Sequence, residues 1–269
     1  MPLQNSVNTS IQPRSQNWSR EETIVAFNLY CKIPFGKICQ SNPEVIRLAK
    51  IIGRTPASVG MKLGNLGRFD PELQKRGVGG LSQGSKMDGI VWDEFHGNWD
   101  SLAYESERLL LQFQNEKEAV LEQEVIDVPL PIGADKLQSV KVRVNQRFFR
   151  EAVLSAYDNK CCITGLDQPK LLIASHIKPW KDSNPARERT NPRNGLCLSA
   201  LYDKAFDEGL MTIATDFRIV LSGSIRDALP RKMVQEAFLR FEGEKISMPQ
   251  RFLPLAESLE WHNQKIFVG

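Results

Sequence analysis

The chain has 269 residues, enough for one large domain or two of ordinary size. With 41% hydrophobic and 25% charged residues it has the balance of a soluble globular protein; no apolar run reaches the roughly 18 residues of a membrane-spanning helix, and the polar start lacks a secretory signal, so the expected location is cytoplasmic, away from membranes. The formal net charge is only +3 but unevenly spread: residues 14–86 carry a net +7, residues 87–128 a net −9 and residues 136–206 a net +7, and basic blocks of this kind suit contact with phosphates.

Residues 1–16, rich in Asn, Ser, Gln and Pro, are predicted to be a disordered tail. Ser19 with Glu22 three residues on is a capping box, and Ile24, Phe27 and Leu29 continue it into a first helix. A second helix is predicted over 42–52, opening on Asn42-Pro43 and stopped by Gly53. Thr55 then caps a third, with Pro56 at its first position and Val59, Leu63 and Leu66 facing inward. Helix, tight turn, helix is a helix-turn-helix pattern, and with Trp18 ahead of it the segment resembles Myb/SANT-like three-helix modules. On that reading Arg54 at the entrance of the third helix and Lys62 on its face contact DNA; the alternative is an ordinary helical hairpin with a basic face.

The glycine-rich stretch 77–90 reads as a flexible loop, and residues 99–123 as an acidic helix striped with Leu102, Leu109, Leu110 and Phe113. That helix is expected to pack on the N-terminal module or on a partner chain. Residues 127–135, with two prolines and a glycine, mark a boundary. The domain division expected is therefore a tail at 1–16, a helical module at 17–128 and a second domain at 129–269.

The second domain opens with an amphipathic helix, NQRFFREAVLSAYDNK. Leu171 to Ile177 then reads as a buried strand between Pro169 and Pro179, with His176 at its end. A polar, basic loop carries Arg187, Arg189 and Arg193; Asn194-Gly195 is a turn signal; GLCLSA is a second strand; and ALYDKAFDEG is a helix stopped by Gly209. The order is ββα. Asp203 and Asp207, four residues apart, share one face of its helix. Paired carboxylates repel unless a cation sits between them, and hard oxygen ligands suit Mg²⁺ or Mn²⁺. A neutral imidazole on the facing strand can take a proton from water.

The run SHIKPW…NPRNGLCLSALYDKAFDEGL, preceded by CCITG, resembles the HNH (ββα-metal) nuclease family, in particular a restriction-endonuclease-like subgroup ending in FDxGL. The likeness covers about residues 143–215. It implies that His176 is the general base, that Asn194 braces the loop shaping the site, and that Asp203, nine residues after Asn194, ligates the metal together with Asp207 one helical turn later. Two departures stand out: Asp203 occupies a position usually held by His, and Ser175 one often held by an acidic or histidine ligand. The cysteines lack the paired CxxC spacing of a zinc ribbon, so no structural zinc is expected and they read as small buried residues. His96 and His262, each beside aromatics, read as structural.

The fold class expected is thus α+β: a helical, helix-turn-helix-like N-terminal module and a C-terminal ββα-metal nuclease domain. The function expected is a metal-dependent DNA endonuclease of restriction or defence type. DNA is the expected partner, with Arg54, Lys62, Arg187, Arg189 and Arg193 as contacts, and the chain is expected to act as a homodimer, since one site per chain cuts one strand. The alternatives are a non-catalytic DNA-binding regulator on the same scaffold, or a ribonuclease.

Overall fold

The computed structural model describes residues 17–78, 84–121, 134–228 and 230–269. The expected tail at 1–16, the glycine-rich 79–83, the end of the acidic helix beyond 121 and most of the boundary segment lie outside the described residues.

Local signals set most helix ends. Helix α1 (Arg20–Lys32) starts at a complete capping box of Ser19 and Glu22. Asn42 caps α2 (Pro43–Ile52), which ends on Gly53 at φ +71°. Thr55 caps α3 (Pro56–Leu66). These three helices pack on one another, and a short α4 (Pro71–Lys75) follows. Within the stretch expected as a loop, Ser85 caps a further helix, α5 (Lys86–Phe95), because Val91, Trp92 and Phe95 find a core to enter. The acidic helix is α6 (Trp99–Leu121); it lays Trp99, Leu102, Ala103 and Leu109 against its own chain, packing on α1 and α2.

Helix α7 (Ala134–Ala156) begins earlier than its amphipathic pattern suggested and joins the two halves. One side packs on α1 and α6; the other carries an antiparallel pair, β1 (Leu172–His176) and β2 (Gly195–Ser199), in a register that sets His176 opposite Gly195. Helix α8 (Ala200–Asp207) leaves β2 directly and packs back on both strands, completing the ββα unit. A second antiparallel pair, β3 (Met211–Ile213) with β4 (Ile219–Leu221), follows. Three helices, α9 (Gly223–Asp227), α10 (Arg231–Ala237) and α11 (Ala256–Lys265), close the chain, α11 lying against β3. No helix among the described residues is long and apolar enough to cross a membrane.

The core runs without a break from Ile24 in α1 to Leu259 in α11. Arg251, fully buried, ties its ends together: it donates to the carbonyls of Tyr30 and Ile33 at 2.7 Å each and to Ser155 Oγ at 3.3 Å. Those carbonyls end α1, where the helix dipole favours a cation. Ser155 of α7 donates in turn to the Cys31 carbonyl at 2.7 Å.

Candidate active site

The ββα unit presents two faces of chemistry. Successive side chains of a strand point to opposite sides, so at the end of β1 His176 turns toward α7 and Ser175 toward α8. The His176 ring stacks on Phe149 of α7, centroids 3.8 Å apart and 9° from parallel, and meets the edge of Trp180 at 5.7 Å. Gly195 permits this. Its φ is −134°, ordinary extended backbone, so a turn conformation is not what calls for glycine here. The reason is space: a Cβ there would fall 2.4 Å from Val153 Cγ2 and 2.9 Å from Phe149 Cζ. The Asn194-Gly195 pair expected to be a turn is thus the end of a 3-10 turn (Pro192–Asn194) followed by a close strand–helix contact.

His176 Nε2 lies 2.9 Å from the Arg189 carbonyl oxygen. A carbonyl only accepts, so Nε2 carries the hydrogen and Nδ1 keeps its lone pair. Burial pushes the His176 pKa below its ordinary value, partly offset by that carbonyl, which keeps the ring neutral at neutral pH.

The loop between the strands is held in detail. Asn194, fully buried, accepts from the Lys178 amide at 2.9 Å and donates to the Lys178 carbonyl at 3.0 Å and to Ser183 Oγ at 3.2 Å. Lys178 pairs with Glu188 at 2.8 Å. Arg189 donates to the carbonyls of Trp180 (3.1 Å) and Ser183 (3.3 Å), with its guanidinium over the Trp180 ring. The Arg189 side chain thus shapes the loop whose carbonyl holds His176. Arg187 and Arg193 are exposed; Arg193 donates to the Leu253 carbonyl at 3.0 Å.

On α8, Asp203 is half-buried and Asp207 more exposed. Burial raises both pKa values, that of Asp207 to about 6 with the neighbouring Asp203 charge adding to the rise. Lys204, between them in sequence, pairs with Glu208 instead. Among the described residues no basic side chain forms an ion pair with either aspartate, and no three His, Cys, Asp or Glu side chains converge as a metal cluster. Two adjacent carboxylates without a counterion, beside a buried Ser175 hydroxyl that makes no hydrogen bond of normal geometry, fit a divalent cation whose remaining ligands are oxygens of water or substrate.

Two expected DNA contacts are turned elsewhere. Lys62 is buried and pairs with the fully buried Asp88 at 2.5 Å; Arg54 pairs with Glu22 at 2.7 Å, its side chain 6% exposed. Both cations stack on Trp18. Lys62 is the sole charged residue of α3, and the exposed positions of that helix are Ala57 and Met61. The basic face read from the sequence is an internal charge network, because the matching carboxylates come from α1 and α5. Phe149 was legible only as an apolar helix position; nothing in the sequence marks it as a platform for His176.

The model of the family described as HNH endonuclease matches residues 161–214, the stretch that holds β1, β2 and α8. Residues 161–214 carry an HNH endonuclease domain. No curated protein matches the chain significantly. Among solved structures, the modification-dependent TagI restriction endonuclease is similar at 17% identity over 44% of this chain and 37% of that one, with a TM-score of 0.28. So slight an overlap says nothing about the substrate of this HNH domain. Its cysteines, Cys161, Cys162 and Cys197, are all buried; the Cys162 amide donates to the Cys197 carbonyl at 2.8 Å, and Cys161 Sγ accepts from the Ser199 amide at 3.3 Å.

Proposed function

We propose that the chain is a metal-dependent DNA endonuclease that hydrolyses phosphodiester bonds, with His176 as general base. The observation that carries this reading is the 2.9 Å contact from His176 Nε2 to the Arg189 carbonyl inside an HNH domain. It leaves Nδ1 of a neutral ring as the proton acceptor. Water attacks phosphorus as Nδ1 takes its proton; the imidazolium that forms is stabilised by the same carbonyl, which then faces a positive ring. Phe149 fixes the ring plane, and Asn194 holds the loop that supplies the carbonyl; Asn194 acts by support, not by chemistry. Asp203 and Asp207 would hold Mg²⁺ or Mn²⁺. When bound, such an ion supplies charge stabilisation for the phosphoryl oxygens and the departing 3′ oxygen.

Arg187 and Arg193, exposed beside the His176 loop, are the proposed phosphate contacts, with Arg189 shaping the loop beneath them. The basic character of the HNH region suits DNA. A role against foreign DNA as a restriction enzyme, working as a homodimer in the cytoplasm, fits a nuclease with one site per chain.

Incubation of plasmid DNA with the protein in Mg²⁺ or Mn²⁺, with and without EDTA, tests the reading. Cleavage that needs the ion and stops in His176→Ala, while that variant still binds DNA, supports it. A wild-type protein that leaves unmodified, methylated and hydroxymethylated DNA intact in both ions overturns it.

A further inference from the structure

Ser175 is 3% exposed, and among the described residues its Oγ has no hydrogen-bond partner of normal geometry. An unsatisfied buried hydroxyl costs stability, so its presence at the edge of a site asks for a reason. Strand alternation directs it away from Phe149 and toward α8, which packs on β1. There it lies within reach of the Asp203 carboxylate, whose charged form it favours, without a hydrogen bond of normal geometry. Among the described residues no basic side chain forms an ion pair with Asp203 to set its orientation: Lys204 is taken by Glu208. A half-buried carboxylate meant to present one chosen oxygen needs a donor on the other.

We propose that Ser175 is a positioning residue for the cation site: with the ion bound, its hydroxyl donates to the Asp203 carboxylate and fixes which oxygen faces the ion. Ser175 acts through Asp203 and is not itself a ligand. This rests on the reading that Asp203 and Asp207 bind a divalent cation. Keeping the Ser175 position neutral leaves the site with two negative charges, which tunes it to bind a divalent ion less tightly than three carboxylates would.

The test uses the full chain and Mn²⁺ alone, with free Mn²⁺ read by electron paramagnetic resonance and the melting temperature measured in EDTA. Ser175→Ala is expected to weaken Mn²⁺ binding about tenfold, the range seen when groups that orient a metal ligand are removed. Its melting temperature in EDTA is expected to be no lower than wild type, because in the metal-free chain the hydroxyl makes no hydrogen bond of normal geometry. Ser175→Cys keeps the shape with a poorer donor and is expected to fall between; it decides the matter if the alanine variant does not fold. Wild-type Mn²⁺ affinity in either variant overturns the proposal. Asp203→Asn and Asp207→Asn separate the two ideas. If both lose Mn²⁺ while Ser175→Ala keeps it, the role of Ser175 falls alone. If they bind as wild type does, or wild type takes up no Mn²⁺, the cation site falls and this proposal with it.

Discussion

Two side chains of this protein respond to acid in opposite directions. His262 is buried, stacks on Phe206 at 3.7 Å, lies 2.8 Å from Thr212 Oγ1 through Nδ1 and donates from Nε2 to the Phe206 carbonyl at 3.1 Å. It therefore pins α8 between its two aspartates. Burial pushes its pKa down to about 4. The unfolded chain takes up a proton near pH 6.5 and the folded chain does not, so acidification from 6.5 toward 4 destabilises the fold, by on the order of 3 kcal/mol. Asp207 works the other way: its folded pKa, about 6, lies above the unfolded value, so the folded state gains protons first and acidification from 6 toward 4 favours the fold. Urea unfolding at pH 7 and pH 4.5 should then show Asp207→Asn losing more stability than wild type between the two. Equal losses would mean that Asp207 does not oppose His262. Gly195→Ala forces a Cβ into Val153 and Phe149; the cost expected is about 1–3 kcal/mol, with cleavage falling further than stability because the His176 platform shifts. A variant that cuts DNA at the wild-type rate would separate Phe149 packing from the chemistry.

The helical elements divide into those whose charges are spent internally and those whose charges face out. In α3 the Lys62–Asp88 pair is buried at both ends, and Arg54 is matched by Glu22. Removing one member of a buried pair leaves the other charge stranded, so Lys62→Met is expected to cost about 3–5 kcal/mol. The same change is expected to leave the salt dependence of DNA binding unaltered. Arg187→Ala and Arg193→Ala should show the reverse pattern, with stability kept within about 0.5 kcal/mol and each proposed phosphate contact lowering the slope of log affinity against log salt by about 1. Fluorescence anisotropy across a salt series distinguishes the two groups. A lower slope in Lys62→Met, at unchanged stability, would return α3 to the DNA-facing surface.

At the scale of the whole molecule, α7 is shared. It packs on α1 and α6 with one side and on β1 and β2 with the other, and Arg251 reaches from the C-terminal segment to the last carbonyls of α1. Two modules joined by a continuous core should unfold as one. Tryptophan fluorescence and far-ultraviolet circular dichroism are expected to give a single, coincident urea transition. Two separated transitions, the second kept after Arg251→Ala, would show that the halves are independent and that the boundary near residue 129 divides the energetics as well as the sequence.

Local rules decided much of this protein in advance. Caps and breakers set the ends of α1, α2 and α3, because Ser19, Asn42, Gly53 and Thr55 act through bonds to their own neighbours. The spacing of His176, Asn194, Asp203 and Asp207 laid out the HNH unit for the same reason: a strand, a loop and a helix of fixed length carry those residues as a block. What needed the tertiary structure was every property set by a partner distant in the chain. The carboxylates that absorb Lys62 and Arg54, the Phe149 ring under His176, the Arg189 carbonyl that selects its tautomer, and the space that makes residue 195 a glycine all come from other elements. Charge, ring and hydroxyl types are written in the sequence; which of them are neutralised or stacked is decided only when the packed chain brings their partners within reach.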